Sequence, residues 1–344
     1  MASSSARTLS QDVTLPADAE DTISSVSWSP VSNHLAAASW DGKVRIYDVA
    51  SNGSAANGVA LLRTDGPVFD CDWAKDGSMV LAAGADKKIH LLHAPTGQQA
   101  TVGSHDAPIR GVRFVEVTGS NAPIIATGSW DKSVKYWDMR QQSPLATLAC
   151  KERVYSLDAK ARLLVIATAE RHIHLVDLQN PSAFLRTAES PLRHQTKAVT
   201  AFPDGTGWGT ASIEGRCAIS ALDERDNSFA FTFRCHREQP DARKITKVWA
   251  VNDVQFHPTA TTIFTTAGSD GIFNFWDRIA RSRLKTYPPA DAAITSTRFN
   301  RDGSLFAYAV GYDWSMGYTK NTPDIKTKLM LHRVTEEETR AKKR

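Results

Sequence analysis

Ser39-Trp40-Asp41-Gly42-Lys43-Val44-Arg45-Ile46-Tyr47-Asp48 is the stretch from which the rest of the chain can be read. It returns as Ser129-Trp130-Asp131-Lys132-Ser133-Val134-Lys135-Tyr136-Trp137-Asp138, and again as Ser269-Asp270-Gly271-Ile272-Phe273-Asn274-Phe275-Trp276-Asp277. Weaker copies begin at Ala85-Asp86, Ala169-Glu170, Ile213-Glu214 and Tyr312-Asp313. The turn acids Asp41, Asp86, Asp131, Glu170, Glu214, Asp270 and Asp313 are separated by 45, 45, 39, 44, 56 and 43 residues. A near-constant period of this size marks a repeat architecture. No single unit can bury its faces alone, so neighbouring units must cover them.

Each period reads as four short strands. Val26-Ser27-Trp28, Val112-Arg113-Phe114, Val254-Gln255-Phe256 and Thr297-Arg298-Phe299 alternate as half-buried strands do. Turn residues punctuate the periods: Ser29-Pro30, Asp76-Gly77, Asp204-Gly205, His257-Pro258 and Asp302-Gly303. A small-residue strand follows, such as Leu35-Ala36-Ala37-Ala38 or Ile125-Ala126-Thr127-Gly128, suited to a crowded centre. A tight acidic turn and an aromatic third strand complete the unit. This pattern, ending in Trp-Asp, is the signature of a WD40 repeat, and seven acids predict an all-β, seven-bladed WD40 β-propeller in one domain over residues 13–334. Ring closure predicts that Val13–Leu15 adds the outer strand of a last blade built from Ile294–Val334. Residues 1–12 read as a disordered N-terminal tail and 335–344 as a charged C-terminal tail. The 56-residue interval places a polar insertion around Leu222–Lys247, expected as a loop or hairpin on blades five and six. Ser51–Gly58 reads as a flexible loop.

Composition excludes several classes. The 344 residues carry 41 Lys and Arg against 37 Asp and Glu, a net charge of +4 too mild to signal nucleic-acid binding by itself. No apolar run approaches the roughly 18 residues of a membrane span, and Met1–Ser10 lacks the apolar stretch of a secretory signal. Cys71, Cys150, Cys217 and Cys235 form no CxxC pair, which argues against a zinc site or disulfide framework and for a reducing compartment. Phosphate-loop, dinucleotide, HExxH and nucleophile-elbow motifs are all missing. His172 and His174 share a strand face but bring no third ligand. His105, Thr127, Asp131 and Trp137 read as a structural hydrogen-bond network, complete in blade three alone, rather than a catalytic set. No catalytic, cofactor or metal role is assigned.

A propeller without such a set is a docking platform, and two features stand out. Trp40 and Trp130 occupy tight turns at the upper rim, where large aromatics are candidate anchors; Glu170 and Arg216 stand in matching turns. Arg278, Arg281, Arg283 and Lys285 pack four cations into eight residues after Trp276-Asp277, and Arg234, His236, Arg237, Arg243, Lys244 and Lys247 form a second basic group. Such clusters suit phosphates or an acidic peptide. They lack the aromatic interleaving of a base-stacking platform.

The later half carries a more specific likeness. Ile213-Glu214-Gly215-Arg216, Phe231-Thr232-Phe233-Arg234-Cys235-His236-Arg237 and Val251-Asn252-Asp253-Val254-Gln255-Phe256-His257-Pro258 occur in that order. Gly268-Ser269-Asp270-Gly271, Phe275-Trp276-Asp277, Phe306-Ala307-Tyr308-Ala309 and Tyr312-Asp313-Trp314-Ser315 follow. The run resembles the WD-repeat nuclear mRNA export factor family, paralogous to the mitotic checkpoint WD-repeat proteins, over about residues 20 to 334. The resemblance implies a non-enzymatic scaffold at the nuclear pore complex that shuttles between nucleus and cytoplasm. It implies a monomer, or a heterodimer with an FG nucleoporin whose GLEBS peptide lies across the upper face, in support of poly(A) mRNA export. Carried over by motif, Arg216, Arg234 and Arg237 would meet peptide carboxylates, with Trp40 as apolar anchor beside Trp130. Arg278, Arg281, Arg283 and Lys285 would form the basic groove to which RNA contact is attributed. Two other roles follow from the resemblance: an adaptor for GLEBS-like motifs of mitotic checkpoint kinases, and a cullin ubiquitin-ligase substrate receptor, whose WDxR pattern Trp137-Asp138-Met139-Arg140 fits.

Overall fold

In the computed structural model, which describes residues 9–340 except 121, 224 and 226–228, the strands form seven four-stranded antiparallel sheets. In blade one the strands run Ile23–Trp28, His34–Ser39, Lys43–Val49 and Ala56–Arg63, from the centre outward. Blades two to six repeat that order. Blade seven takes three strands from Ala293–Phe299, Leu305–Gly311 and Lys328–Arg333, and its outer strand from Val13–Thr14 at the other end of the chain. The seven inner strands stand side by side around a central channel, and Trp28 Nε1 closes the ring by donating to the Arg298 carbonyl at 3.1 Å.

Tight turns connect second and third strands, and Asp-Gly recurs there for a conformational reason. Gly42 has φ +76°, and the equivalent Lys132 is forced to +66°. Asp41 and Asp131 accept the backbone N–H two residues on, at 3.1 and 3.0 Å, which pins both turns. Apolar side chains fill the spaces between blades. Ala38, Val44, Ile46 and Leu62 of blade one meet Val68, Cys71, Trp73 and Val80 of blade two. Buried carboxylates stitch the inner strands together: Asp72 accepts the Phe114 N–H, Asp158 the Ala201 N–H and Asp253 the Thr297 N–H, at 2.9, 3.0 and 2.7 Å.

Three expectations change. The end of the chain is not a frayed tail throughout: Glu336–Thr339 forms a helical turn, α1, closed by a capping box between Thr335 and Glu338. Glu338 is 2% exposed and meets His332 Nε2 at 3.2 Å, while His332 Nδ1 lies 2.8 Å from Asp12, so both ends lock onto blade seven. A run of charges conceals this because Asp12, which holds His332 from its other side, lies 320 positions away in sequence. Residues 1–8 and 341–344 of the two tails lie outside the described residues. The insertion after Leu222 contains Phe231–Arg234, the outer strand of blade five, and its true excess is the crossing from Cys235 to Ala250 on the upper face. Ser51–Gly58 is a turn only to Ala55; from Ala56 it is blade-one strand, with Ala56 buried.

Candidate functional site

Antiparallel order places all second-to-third-strand turns, and all crossings between blades, on one face, here called upper. Trp40, Trp130 and Trp314 project from such turns on blades one, three and seven. Trp40 stacks on Trp314 with centroids 4.9 Å apart and an interplanar angle of 21°, and packs on Phe69 of blade two at 5.6 Å. Phe69 in turn meets Trp130 at 5.6 Å, and Tyr312 backs Trp314 at 5.7 Å. The result is a continuous aromatic band over four consecutive blades. Each contact is worth about 0.5–1.5 kcal/mol beyond area burial, so the band is rigid before anything lands on it. Trp130 keeps 37% of its surface exposed. The two tryptophans singled out from the sequence therefore share one surface. Phe69 and Trp314 complete it; Phe69 comes from an inner strand, which the turn motif does not reveal.

The predicted cations sit across the ring, on blade five and the crossing to blade six. Arg216 begins the third strand and Arg234 ends the fourth, and the two face each other across the ladder. Arg216 Nε lies 2.5 Å from Glu214 Oε1, His194 Nε2 lies 2.7 Å from Glu214 Oε2, and Arg237 donates to the Glu214 carbonyl at 2.8 Å. Like charges opposed on neighbouring strands repel, and Glu214 offsets part of that repulsion. Arg216, Arg234 and Arg237 are thus brought together, but Trp40 is not their floor: it shares the face and contacts other residues.

The basic run after Trp276 does not form one groove. Arg278 lies on the lower side, over the Phe202 ring at 4.5 Å, with Nε donating to the Thr261 carbonyl; burial lowers its pKa. Register pairs Arg283 with Trp276 and Lys285 with Phe275, and those two aromatics point to opposite sheet faces. Lys285 accordingly lies over Tyr287 at 6.0 Å, towards blade seven. Only Arg281, over Phe231 at 5.2 Å, and Arg283, over Trp276 at 5.9 Å, share the cleft between the outer strands of blades five and six. Phe233 packs beside them, 4.7 Å from Trp276. The cleft is aromatic as well as basic, contrary to expectation, because its phenylalanines come from a different strand than its arginines.

The blade-three network is present. Trp137 Nε1 donates to Thr127 Oγ1 at 2.8 Å, and Thr127 meets His105 Nε2 at 2.7 Å, while His105 Nδ1 meets Asp131 at 2.8 Å. Burial holds the His105 pKa below that of a free imidazole, against the pull of Asp131. A Cβ on Gly103 would stand 2.3 Å from the Trp137 ring, so the strand beneath accepts only glycine. The set is not unique to blade three: Trp276, Thr266, His236 and Asp270 repeat it in blade six at 3.0, 2.9 and 2.8 Å. The long crossing separates that histidine from its acid by 34 residues instead of 26, which hides the repeat from a fixed-period search. Asp138 and Arg140 of the WDxR stretch pair with each other at 2.5 Å on the lower face. His172 and His174 stack 6.2 Å apart, and no group of three metal-ligating side chains occurs among the described residues. Among the described residues no helix is long and apolar enough to cross a membrane.

Fold and turns define a propeller of WD40 repeats, and the model of the WD domain, G-beta repeat matches residues 10–48, 59–92, 96–138 and 231–277. The chain is 49% identical to the WD40 repeat protein poxJ of Penicillium oxalicum, over 97% of this chain and 96% of that one. It is 48% identical to the mRNA export factor GLE2 of Chaetomium thermophilum (96% and 92%), and 46% identical to the poly(A)+ RNA export protein of Schizosaccharomyces pombe (96% and 92%). The chain belongs to the family of WD40-repeat mRNA export factors.

Proposed function

We propose that this protein is a non-enzymatic scaffold of poly(A) mRNA export that holds the GLEBS peptide of an FG nucleoporin on its upper face at the nuclear pore. The observation that carries this reading is the band Trp314–Trp40–Phe69–Trp130 facing the cluster Arg216, Arg234 and Arg237 on the same rim. A rigid aromatic floor suits the apolar residues of such a peptide, and the arginines suit its carboxylates. The relatives named as RNA export proteins support the cellular role. Calorimetric titration of the full chain with a GLEBS peptide tests it: saturable binding with one peptide per chain is expected, and no heat at micromolar concentrations overturns it.

A second contact is proposed at the outer cleft. Arg281 and Arg283 over Phe231 and Trp276 combine phosphate attraction with a partly exposed Phe231 ring, the pairing of cation and aromatic that single-stranded RNA uses. Holding nucleoporin and ribonucleoprotein at once would raise the effective concentration of cargo at the channel. Filter binding of a poly(A) oligonucleotide checks this contact separately.

A further inference from the structure

At its upper end every inner strand carries an irregularity at its second residue, or in blade seven its third, where the ladder with the second strand skips one position. Such bulges aim a side chain away from the sheet, here around the channel mouth. Ser24, Asn252 and Thr295 spend theirs on neighbouring carbonyls, at 2.6, 2.9 and 2.6 Å, and Phe69 joins the aromatic band. On blades three and five the bulge residues are Arg110 and Lys197. Both line a cavity of about 60 Å³ in the channel, and among the described residues neither has a hydrogen-bond or ion-pair partner. The carboxylates around them are committed elsewhere. Asp70 accepts from Ser25, the Val112 N–H and Arg113; Asp253 accepts from Gln255 and the Thr297 N–H; Asp313 accepts from Ser269 and Ser315. Arg113, deeper in the channel, is held by Asp70 and Asp158 at 2.6 and 3.1 Å.

We propose that the channel mouth is an oxyanion site in which Arg110 and Lys197 together hold one phosphate or carboxylate group. Two partly buried cations with no direct hydrogen-bond or ion-pair partner repel each other, Asp70, Asp253 and Asp313 answer them only through space, and a small anion held directly between the two satisfies both. Burial depresses both pKa values, and the charge of Arg110 contributes to the shift at Lys197, which places the two within electrostatic reach of each other. The cavity admits a few water molecules or one small oxyanion. The site does not depend on the peptide reading. A free phosphate compound and an acidic side chain of a segment crossing the face would present the same chemistry.

The test uses the full chain in a buffer free of phosphate and sulfate, with inorganic phosphate as probe. Saturable binding and a phosphate-dependent rise in Tm are expected. Arg110→Gln and Lys197→Met should each weaken phosphate roughly tenfold or more, the weight of a charged hydrogen bond. Each should melt above the parent when no anion is present. Arg110→Lys keeps the charge and should bind within about threefold of the parent. A short peptide with one glutamate, added to the phosphate complex, separates the sources. Displacement of phosphate assigns the site to a carboxylate, and phosphate held in place assigns it to a free phosphate compound. Either supports an oxyanion site. No saturable binding of either probe, or phosphate stabilising parent and variants alike, overturns it.

Discussion

The two sides of the upper rim are built on opposite principles. On blades seven, one, two and three, ring packs on ring, and the surface offered to a partner is rigid in advance. On blade five the cations face each other, and Arg216 is already engaged by Glu214. A partner settling on the aromatic side gains burial with little reorganisation. A partner meeting the arginines must compete with a carboxylate in place, so part of the electrostatic gain is cancelled. On the proposed peptide reading, the comparison predicts that the aromatic side supplies most of the binding energy and the cationic side mainly orientation and register.

The largest break of this comparison is Trp40→Ala. It removes the centre of the band and should weaken GLEBS peptide by about 3 kcal/mol, more than a hundredfold, in calorimetry on variants whose melting confirms the fold. Next is the outer cleft, which lies towards the lower side and should be independent of the rim. Arg281→Gln with Arg283→Gln should reduce the slope of log affinity against log salt for poly(A) by about 1.4, from roughly 0.7 per neutralised phosphate. Peptide affinity should stay the same; a parallel loss would merge the two surfaces. Arg216→Ala should cost about 1 kcal/mol of peptide affinity, less than an unencumbered hot-spot arginine, because its pairing with Glu214 is lost as well. Smallest is Glu214→Gln, which releases Arg216 and should tighten the peptide by about 0.5 kcal/mol, near twofold in Kd. Weaker binding by that variant would mean that Glu214 positions the arginine instead of competing for it.

The fold was legible because its cause is local. Seven acidic turns at near-regular intervals each dictate a hairpin, and the need to cover sheet faces leads from hairpins to a closed ring. Trp40, Trp130 and the arginines were legible for the same reason, since they stand inside or beside the repeating motif. Trp314 stands in the seventh acidic turn, one place after its acid where Trp40 and Trp130 stand one place before theirs, and Phe69 escaped because it comes from an inner strand outside the turn motif. The second histidine network escaped because the crossing from Cys235 to Ala250 breaks the period. The basic run misled in a different way. Arg283 and Lys285 stand two apart and would share a face of a regular strand, but a bulge in the ladder sets one opposite Trp276 and the other opposite Phe275, so they serve different clefts. The burial of Glu338 depended on Asp12 and His332, more than three hundred residues apart.

Hydrogen–deuterium exchange of the full chain with and without the GLEBS peptide tests the central claim most directly. The turns carrying Trp40, Trp130 and Trp314, and the crossing after Cys235, should gain protection together, while the lower-face turns at Asp138–Arg140 and Asp277–Arg281 remain unchanged. Protection confined to the outer cleft or the lower face, with the tryptophan turns exchanging as in the free protein, would contradict the assignment of the upper rim.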